Sequence, residues 1–248
     1  MGSTDTAQEE LTVLITGFGP FKKEYPINPS WEIARGLPEY LPKAPTRSGA
    51  SAAGKLPRVR LLVHPEPIRV SYQVVRETVP QLWNLDGEAG DPDRPKIDLA
   101  IHIGMAGPKP VYSIERRGNR EGYAMKDVDG RFLKDQERKT REGKKWVWDG
   151  APKELETDLD LDDVLVRWKK NSPPQHDLRI SEDAGNFLCD FIYFSSLAHL
   201  FKAGQLRKVV FFHVPSESTG DFISVGKELV LQLVRSIVES ELTRQGKF

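Results

Sequence analysis

Cys189 is the only cysteine in the 248-residue sequence. It lies in the run Ser181-Glu182-Asp183-Ala184-Gly185-Asn186-Phe187-Leu188-Cys189-Asp190. A helix opening near Gly185 places this thiol in or just after the first turn, where the dipole and free backbone N–H groups favour a thiolate. Taken alone, a single cysteine reads more readily as a small buried residue. His213 ends the apolar run Val209-Val210-Phe211-Phe212 and stands where a buried strand would deliver a base. Glu115 ends a second apolar stretch and would orient an imidazole or a substrate amine, or pair with Arg116 or Arg117. Acyl transfer by a thiol needs a thiolate, an imidazole that carries protons and a third group that fixes the imidazole. Glu115, Cys189 and His213 have the chemistry for those roles, although spacing along the chain does not show that they meet. His64, before Pro65 at a strand end, is the main rival to His213. His102 falls in mid-strand, His176 in a proline-containing loop and His199 on a helix surface.

The elements that must position these groups are legible as alternating patterns. Residues 11–16 form a short apolar, β-branched run closed by Gly17, and residues 59–63, 97–104, 111–115 and 208–214 read as further strands. Helical stripes cover 71–83, 160–170, 184–203 and 224–242. Asn28 and Pro29 open another helix, with Asn28 as cap and Pro29 at the first helical position. Strands and helices alternate, and the strands are nearly continuous apolar runs. This predicts an α/β fold, a three-layer α/β/α sandwich with a mostly parallel, mixed central sheet. Sites in such sheets gather at the carboxyl ends of strands. The segments expected there are the turn 17–21, the turn Gly104-Met105-Ala106-Gly107, Glu115 and His213-Val214-Pro215.

Composition narrows the function. Lys and Arg total 36 and Asp and Glu total 36, so the chain carries no basic surplus to hold nucleic acid or an acidic membrane. One cysteine excludes an intrachain disulfide and a multi-cysteine zinc site. No secretory pattern opens the chain and no run approaches a membrane span, so the cytoplasm is expected by elimination. Residues 1–10 read as a disordered tail and 11–248 as a single domain with loop insertions at 42–57 and 116–148. The charged 116–145 stretch reads as a solvated surface loop with at most a short hairpin. The turn Gly17-Phe18-Gly19-Pro20-Phe21 lacks the spacing of a phosphate cradle and suggests an apolar pocket wall.

These segments together resemble the pyroglutamyl-peptidase I (pyrrolidone-carboxylate peptidase) family of cysteine peptidases. Leu14-Ile15-Thr16-Gly17-Phe18-Gly19-Pro20-Phe21 followed by Asn28-Pro29-Ser30-Trp31-Glu32 looks like that family's opening. The run around Cys189 looks like its nucleophile motif, Phe212-His213-Val214-Pro215 like its histidine motif, and Ile114-Glu115-Arg116 falls where it carries its acid. The resemblance implies removal of an amino-terminal pyroglutamate from small peptides, with no metal and no organic cofactor. By the same resemblance Cys189 is the nucleophile, His213 the general acid/base and Glu115 the third member, and Phe18, Phe21, Asn28 and Phe187 bind the ring. Gly104 and Met105 join the expected binding set, Met105 standing where the prokaryotic pattern commonly has Gln. The stretch after Glu115 is closer to the animal form of the family. Homo-oligomerisation is left open, since prokaryotic relatives assemble and animal-like ones need not. Two other readings remain at this point: a catalytically silent relative that binds peptide ends or a partner, and a nucleoside-phosphorylase-like transferase, for which no convincing phosphate site is present.

Overall fold

The computed structural model describes residues 10–21, 23–43, 56–83, 95–134 and 146–247. The expected tail lies outside the described residues except for Glu10, and so does most of the expected insertion at 42–57. Strands β1 (Glu10–Gly17), β2 (Arg58–Val63), β3 (Leu99–Met105), β4 (Val111–Glu115), β7 (Asp177–Ser181) and β8 (Val209–Val214) form a six-stranded sheet in the order β2-β1-β3-β8-β4-β7. The first four in that order are mutually parallel; β4 runs antiparallel to β8 and parallel to β7. Helices α1 (Pro29–Arg35), α3 (Leu161–Asn171) and α5 (Gly220–Arg244) cover one face. Helices α2 (Tyr72–Trp83) and α4 (Leu188–Lys202) cover the other.

Both faces are covered, so the central strands are apolar on both sides. Val13, Ile15, Ile101, Ile103, Val210 and Phe212 face the α1/α3/α5 layer. Leu14, Ala100, Val209 and Phe211 face the α2/α4 layer. A strand's side chains alternate between its faces, so His102 shares the α4 side with Ala100, and His213 shares it with Phe211. The sandwich is therefore the one the alternating pattern predicts.

Three departures matter. The link 106–110 between β3 and β4 is far shorter than the dozen or more residues a parallel crossover needs, so the chain reverses and β4 returns beside β8. Strand β7 was not expected; it is an edge strand whose Asp177 and Arg179 pair with each other at the surface, which breaks the apolar signal. The segment after Glu115 is structured at its start rather than a solvated loop throughout; residues 135–145 lie outside the described residues. Strands β5 (Arg117–Asn119) and β6 (Glu154–Glu156) pair antiparallel, and the ribbon lies on α4. A β-carbon at Gly118 would meet the Phe194 backbone N at 3.0 Å. This cover explains why α4 is apolar nearly all round, a pattern that belongs to a helix buried on every side. Further along, buried Asp127 accepts hydrogen bonds from Ser71 Oγ (3.0 Å) and Tyr72 N (3.2 Å), capping α2 from a distant loop. Trp148 is also buried, stacked edge-on against Phe194. Among the described residues no helix is long and apolar enough to cross a membrane.

Candidate active site

His213 is the fifth residue of β8, opposite Gly104 on β3 and Ser113 on β4. Glu115 opposes Phe211, two residues back along β8 and on the same face. The sequence placed Glu115 at the carboxyl edge of the sheet with the other candidates. It is not there, because β4 is reversed; its carboxyl end points back into the sheet. Glu115 is only 1% exposed. The reversal brings the carboxylate under the ring: Glu115 Oε1 lies 2.7 Å from His213 Nδ1. Ser113 Oγ donates to the same oxygen at 3.1 Å, and the Tyr193 hydroxyl donates to the Glu115 carbonyl at 2.9 Å. Glu115 Oε2 is buried with no hydrogen-bond partner among the described residues. The surface pairing with Arg116 or Arg117 is not formed. Those guanidinium groups bind Glu182 instead, at 2.9 and 2.6 Å, and Arg116 also reaches Asp162 at 3.0 Å.

Cys189 is the second residue of α4, which begins at Leu188 rather than at 184. The delay has a local cause. Asp183 Oδ1 accepts from Gly185 N at 2.9 Å, and Gly185 takes φ +83°, a turn that a helix cannot include. The cap residue Phe187 is extended and makes no side-chain cap hydrogen bond. Its carbonyl accepts from Phe191 N at 2.9 Å, which leaves the N–H groups of the first turn without intrahelical partners. The half-buried Cys189 sulfur lies over Gly104, where an added β-carbon would stand 2.9 Å from Sγ. Burial alone would lower the His213 pKa. The neighbouring Cys189 thiolate, then the hydrogen bonds to Cys189 and Glu115, outweigh it and push the imidazole up to about 10. Thiol, imidazole and carboxylate thus stand in series.

The expected ring-binding residues divide. Phe21 and Phe187, both half-buried, face each other with centroids 6.2 Å apart. Tyr72 meets Phe187 edge-on at 6.1 Å. This aromatic surface begins two residues before Cys189. Gly104 lies under the thiol, and Met105, half-buried, pairs with Val214 at the end of β3. Phe18 is instead a core side chain, 4% exposed, bridged to Ile68. Asn28 is buried and holds the loop: its Nδ2 donates to Gly19 O at 3.0 Å and its Oδ1 accepts from Ser30 N (3.1 Å) and Ser30 Oγ (2.8 Å). The capping role is thus present, and one amide hydrogen remains beyond these bonds. The tight approach of α1 to β1 leaves no room for a side chain at Gly17, where a β-carbon would stand 2.5 Å from Ser30 O.

The rival histidines are elsewhere. His64 Nδ1 contacts Glu66 O at 2.7 Å. His102 is fully buried between Thr16 and Ser196, and His176 packs on Tyr112. Among the described residues no three His, Cys, Asp or Glu side chains are grouped to hold a metal ion. Sequence reasoning missed Tyr72, taken only as part of a helical stripe, and Asp190. The second carried a signal, being the one acid in the otherwise apolar α4.

A thiol, an imidazole and a buried carboxylate on one face of a three-layer α/β sandwich define a hydrolase-type arrangement. The family model described as pyroglutamyl peptidase matches residues 72–225, and the chain belongs to that family. It is 29% identical over 209 residues to pyroglutamyl-peptidase 1 of Rattus norvegicus, covering 84% of this chain and 80% of that one. It is 27% identical to the pyrrolidone-carboxylate peptidase of Thermococcus kodakarensis, covering 95% and 100%. Among solved structures, the pyrrolidone carboxyl peptidase from Thermococcus litoralis superposes with a TM-score of 0.67 at 18% identity, over 95% of this chain and 96% of that one. That likeness is one of fold.

Proposed function

We propose that this protein hydrolyses the amide bond after an amino-terminal pyroglutamate of small peptides, through a thioester on Cys189. The observation that carries the reading is the 2.7 Å contact of Glu115 Oε1 with His213 Nδ1 beside the Cys189 sulfur. The Cys189 thiolate attacks the pyroglutamyl carbonyl carbon, and the carbonyl electrons move onto oxygen. The open N–H groups at the start of α4 are suited to that oxyanion. The imidazolium of His213 gives its proton to the leaving amine as the C–N bond breaks, which leaves a thioester. Water then attacks the thioester carbonyl and gives a proton to His213. The C–S bond breaks, pyroglutamate leaves and the thiolate–imidazolium pair is restored. Glu115 holds the ring by Nδ1 throughout, so the other nitrogen carries the proton.

The lactam is small, neutral and flat, with one N–H and one ring carbonyl, and the aromatic surface of Phe21, Phe187 and Tyr72 suits it. A site built to bond those groups rejects proline, which would leave buried polar atoms unpaired. The test is release of chromophore from a pyroglutamyl anilide, with the prolyl anilide as control. Turnover of the first, its loss in Cys189→Ala and no turnover of the second are expected. Binding of the pyroglutamyl compound without turnover, or an active Cys189→Ala protein, would overturn the assignment.

A further inference from the structure

Asp190 follows the thiol along α4 and is fully buried. Its Oδ1 accepts from Asn119 N at 2.9 Å and its Oδ2 lies 3.0 Å from the Tyr123 hydroxyl. That hydroxyl also bonds the Asn119 carbonyl. Three oxygens therefore stand in a row: Asp190 Oδ2, Tyr123 Oη and Asn119 O. Two protons are needed to join them, and the phenol has one. Burial, and then the Asp190 charge, hold the Tyr123 pKa well above its usual value, so the phenol keeps its proton. With an ionised Asp190 the phenol donates to the carboxylate, and its lone pairs face those of the Asn119 carbonyl. With a neutral Asp190, Oδ2–H donates to Tyr123 and Tyr123 donates to Asn119, and every group is satisfied.

We infer that Asp190 is a positioning residue that works as a neutral acid, latching the 119–123 segment to the nucleophile helix by a shared proton chain. The latch supports the pocket wall. The Tyr123 ring packs on Phe191 at 5.1 Å and on Tyr72 at 6.2 Å, and Tyr72 meets Phe187. Loss of the proton breaks the chain. The groups that face the latch are Tyr193 on its own helix, Asp183 from the preceding turn, and Tyr123 with Asn119 from the loop. From α2 come Tyr72 and Arg76, the guanidinium of the latter lying over the Phe191 ring at 4.8 Å. Burial, with Asp183, pushes the Asp190 pKa up to about 7 against the hydrogen bonds from the Asn119 N–H, the Tyr123 hydroxyl and the Asn119 side chain, which favour ionisation.

The pocket part of this inference rests on the peptidase reading; the proton chain does not. Asn in place of Asp190 copies the neutral acid, with Oδ1 accepting from Asn119 N and Nδ2 donating to Tyr123. An acid whose folded pKa is raised destabilises the fold as pH climbs from its unfolded value, near 4, through its folded one. The melting temperature of Asp190→Asn should thus gain on the wild type by roughly 5 °C between pH 5 and pH 8. In pyroglutamyl anilide assays KM should rise above pH 7 in the wild type and stay level in Asp190→Asn, with kcat retained. Asp190→Ala should show a high KM at every pH. Parallel melting profiles for wild type and Asp190→Asn overturn the inference, as does an Asp190→Asn protein as impaired as Asp190→Ala. Absence of pyroglutamyl turnover with the melting shift intact overturns the peptidase assignment and leaves the proton chain standing.

Discussion

Gly104 lies directly beneath the sulfur of Cys189, so close that a β-carbon there would stand 2.9 Å from Sγ and 2.4 Å from the Phe211 ring. This glycine, one residue before the end of β3, is therefore the floor on which the thiol rests. Gly104→Ala must displace both the ring and the sulfur. The ring is buried and cannot swing away, so a stability loss of about 1–3 kcal/mol is expected from overpacking. A shift of the sulfur relative to His213 should cost on the order of 10²-fold in kcat/KM. Urea unfolding and anilide turnover check the two effects; an alanine variant with wild-type turnover would show that the sulfur has room to spare.

Glu115→Gln keeps the shape of the side chain and its contact with Ser113, and removes the charge under His213. The imidazolium loses one of the groups that stabilise it, and the amide can present N–H to Nδ1 and fix the wrong tautomer. We expect kcat to fall on the order of 10²–10⁴-fold, the range general acid–base catalysis supplies. The fold should survive, since the Glu115 backbone is still held by Tyr193. Circular dichroism and kcat measured on one preparation separate the two. A glutamine variant of undiminished kcat would remove Glu115 from the machinery.

The pKa of His213, raised to about 10, has a sign that can be followed. In the proposed mechanism the protonated ring gives a proton to the leaving amine, so activity should persist at alkaline pH and decline as pH passes roughly 10. A group raised above its unfolded value adds stability below that value and loses the gain as pH rises through the folded one. The thiolate is the largest of the influences that raise it. In Cys189→Ser that charge is gone, and the His213 titration, followed by its ring-proton NMR signals, should move to lower pH. An unmoved titration would mean the sulfur and ring do not interact.

Much of this arrangement is legible in the sequence. The parallel strands announce themselves because a sheet covered on both faces needs apolar side chains on both. Cys189 and His213 stand out in the sequence because each begins or ends such an element. Glu115 was found for a reason only partly right. It was placed at the carboxyl edge of the sheet, whereas reversal of β4 sinks it below His213, and a single sequence does not state strand direction. The ribbon of β5 and β6 was hidden by charge. Arg117 pairs with Glu154 and Glu156 on the outside, while the face toward α4 is carried by Gly118 and Leu155 alone. Three-residue strands give periodicity nothing to detect. The hint lay in α4, too apolar on all sides to have a wet face. Phe18 lies in the core and Asn28 caps α1 and ties Gly19, because the turn that approaches the site also fastens α1 to β1.

His102 offers a test of the scaffold alone. Its ring is buried between Thr16 Oγ1 and Ser196 Oγ, 2.8 Å from each, and so joins β1, β3 and α4. Burial first, and His64 second, hold its pKa down to about 3. In the unfolded chain the ring takes its proton near 6.5, so the unfolded state binds more protons throughout the interval between these values. Stability from this residue is therefore whole above roughly pH 6.5 and drains away as pH falls toward 3. His102→Phe keeps a ring of similar size but cannot accept a proton, and it leaves two buried hydroxyls without their partner. At pH 7 it should be less stable by about 1–3 kcal/mol for each hydroxyl left unpaired. Toward pH 4.5 it should lose less than the wild type, so the two urea midpoints converge. Midpoints that stay parallel from pH 7 to pH 4.5 would show that His102 does not resist protonation in the fold.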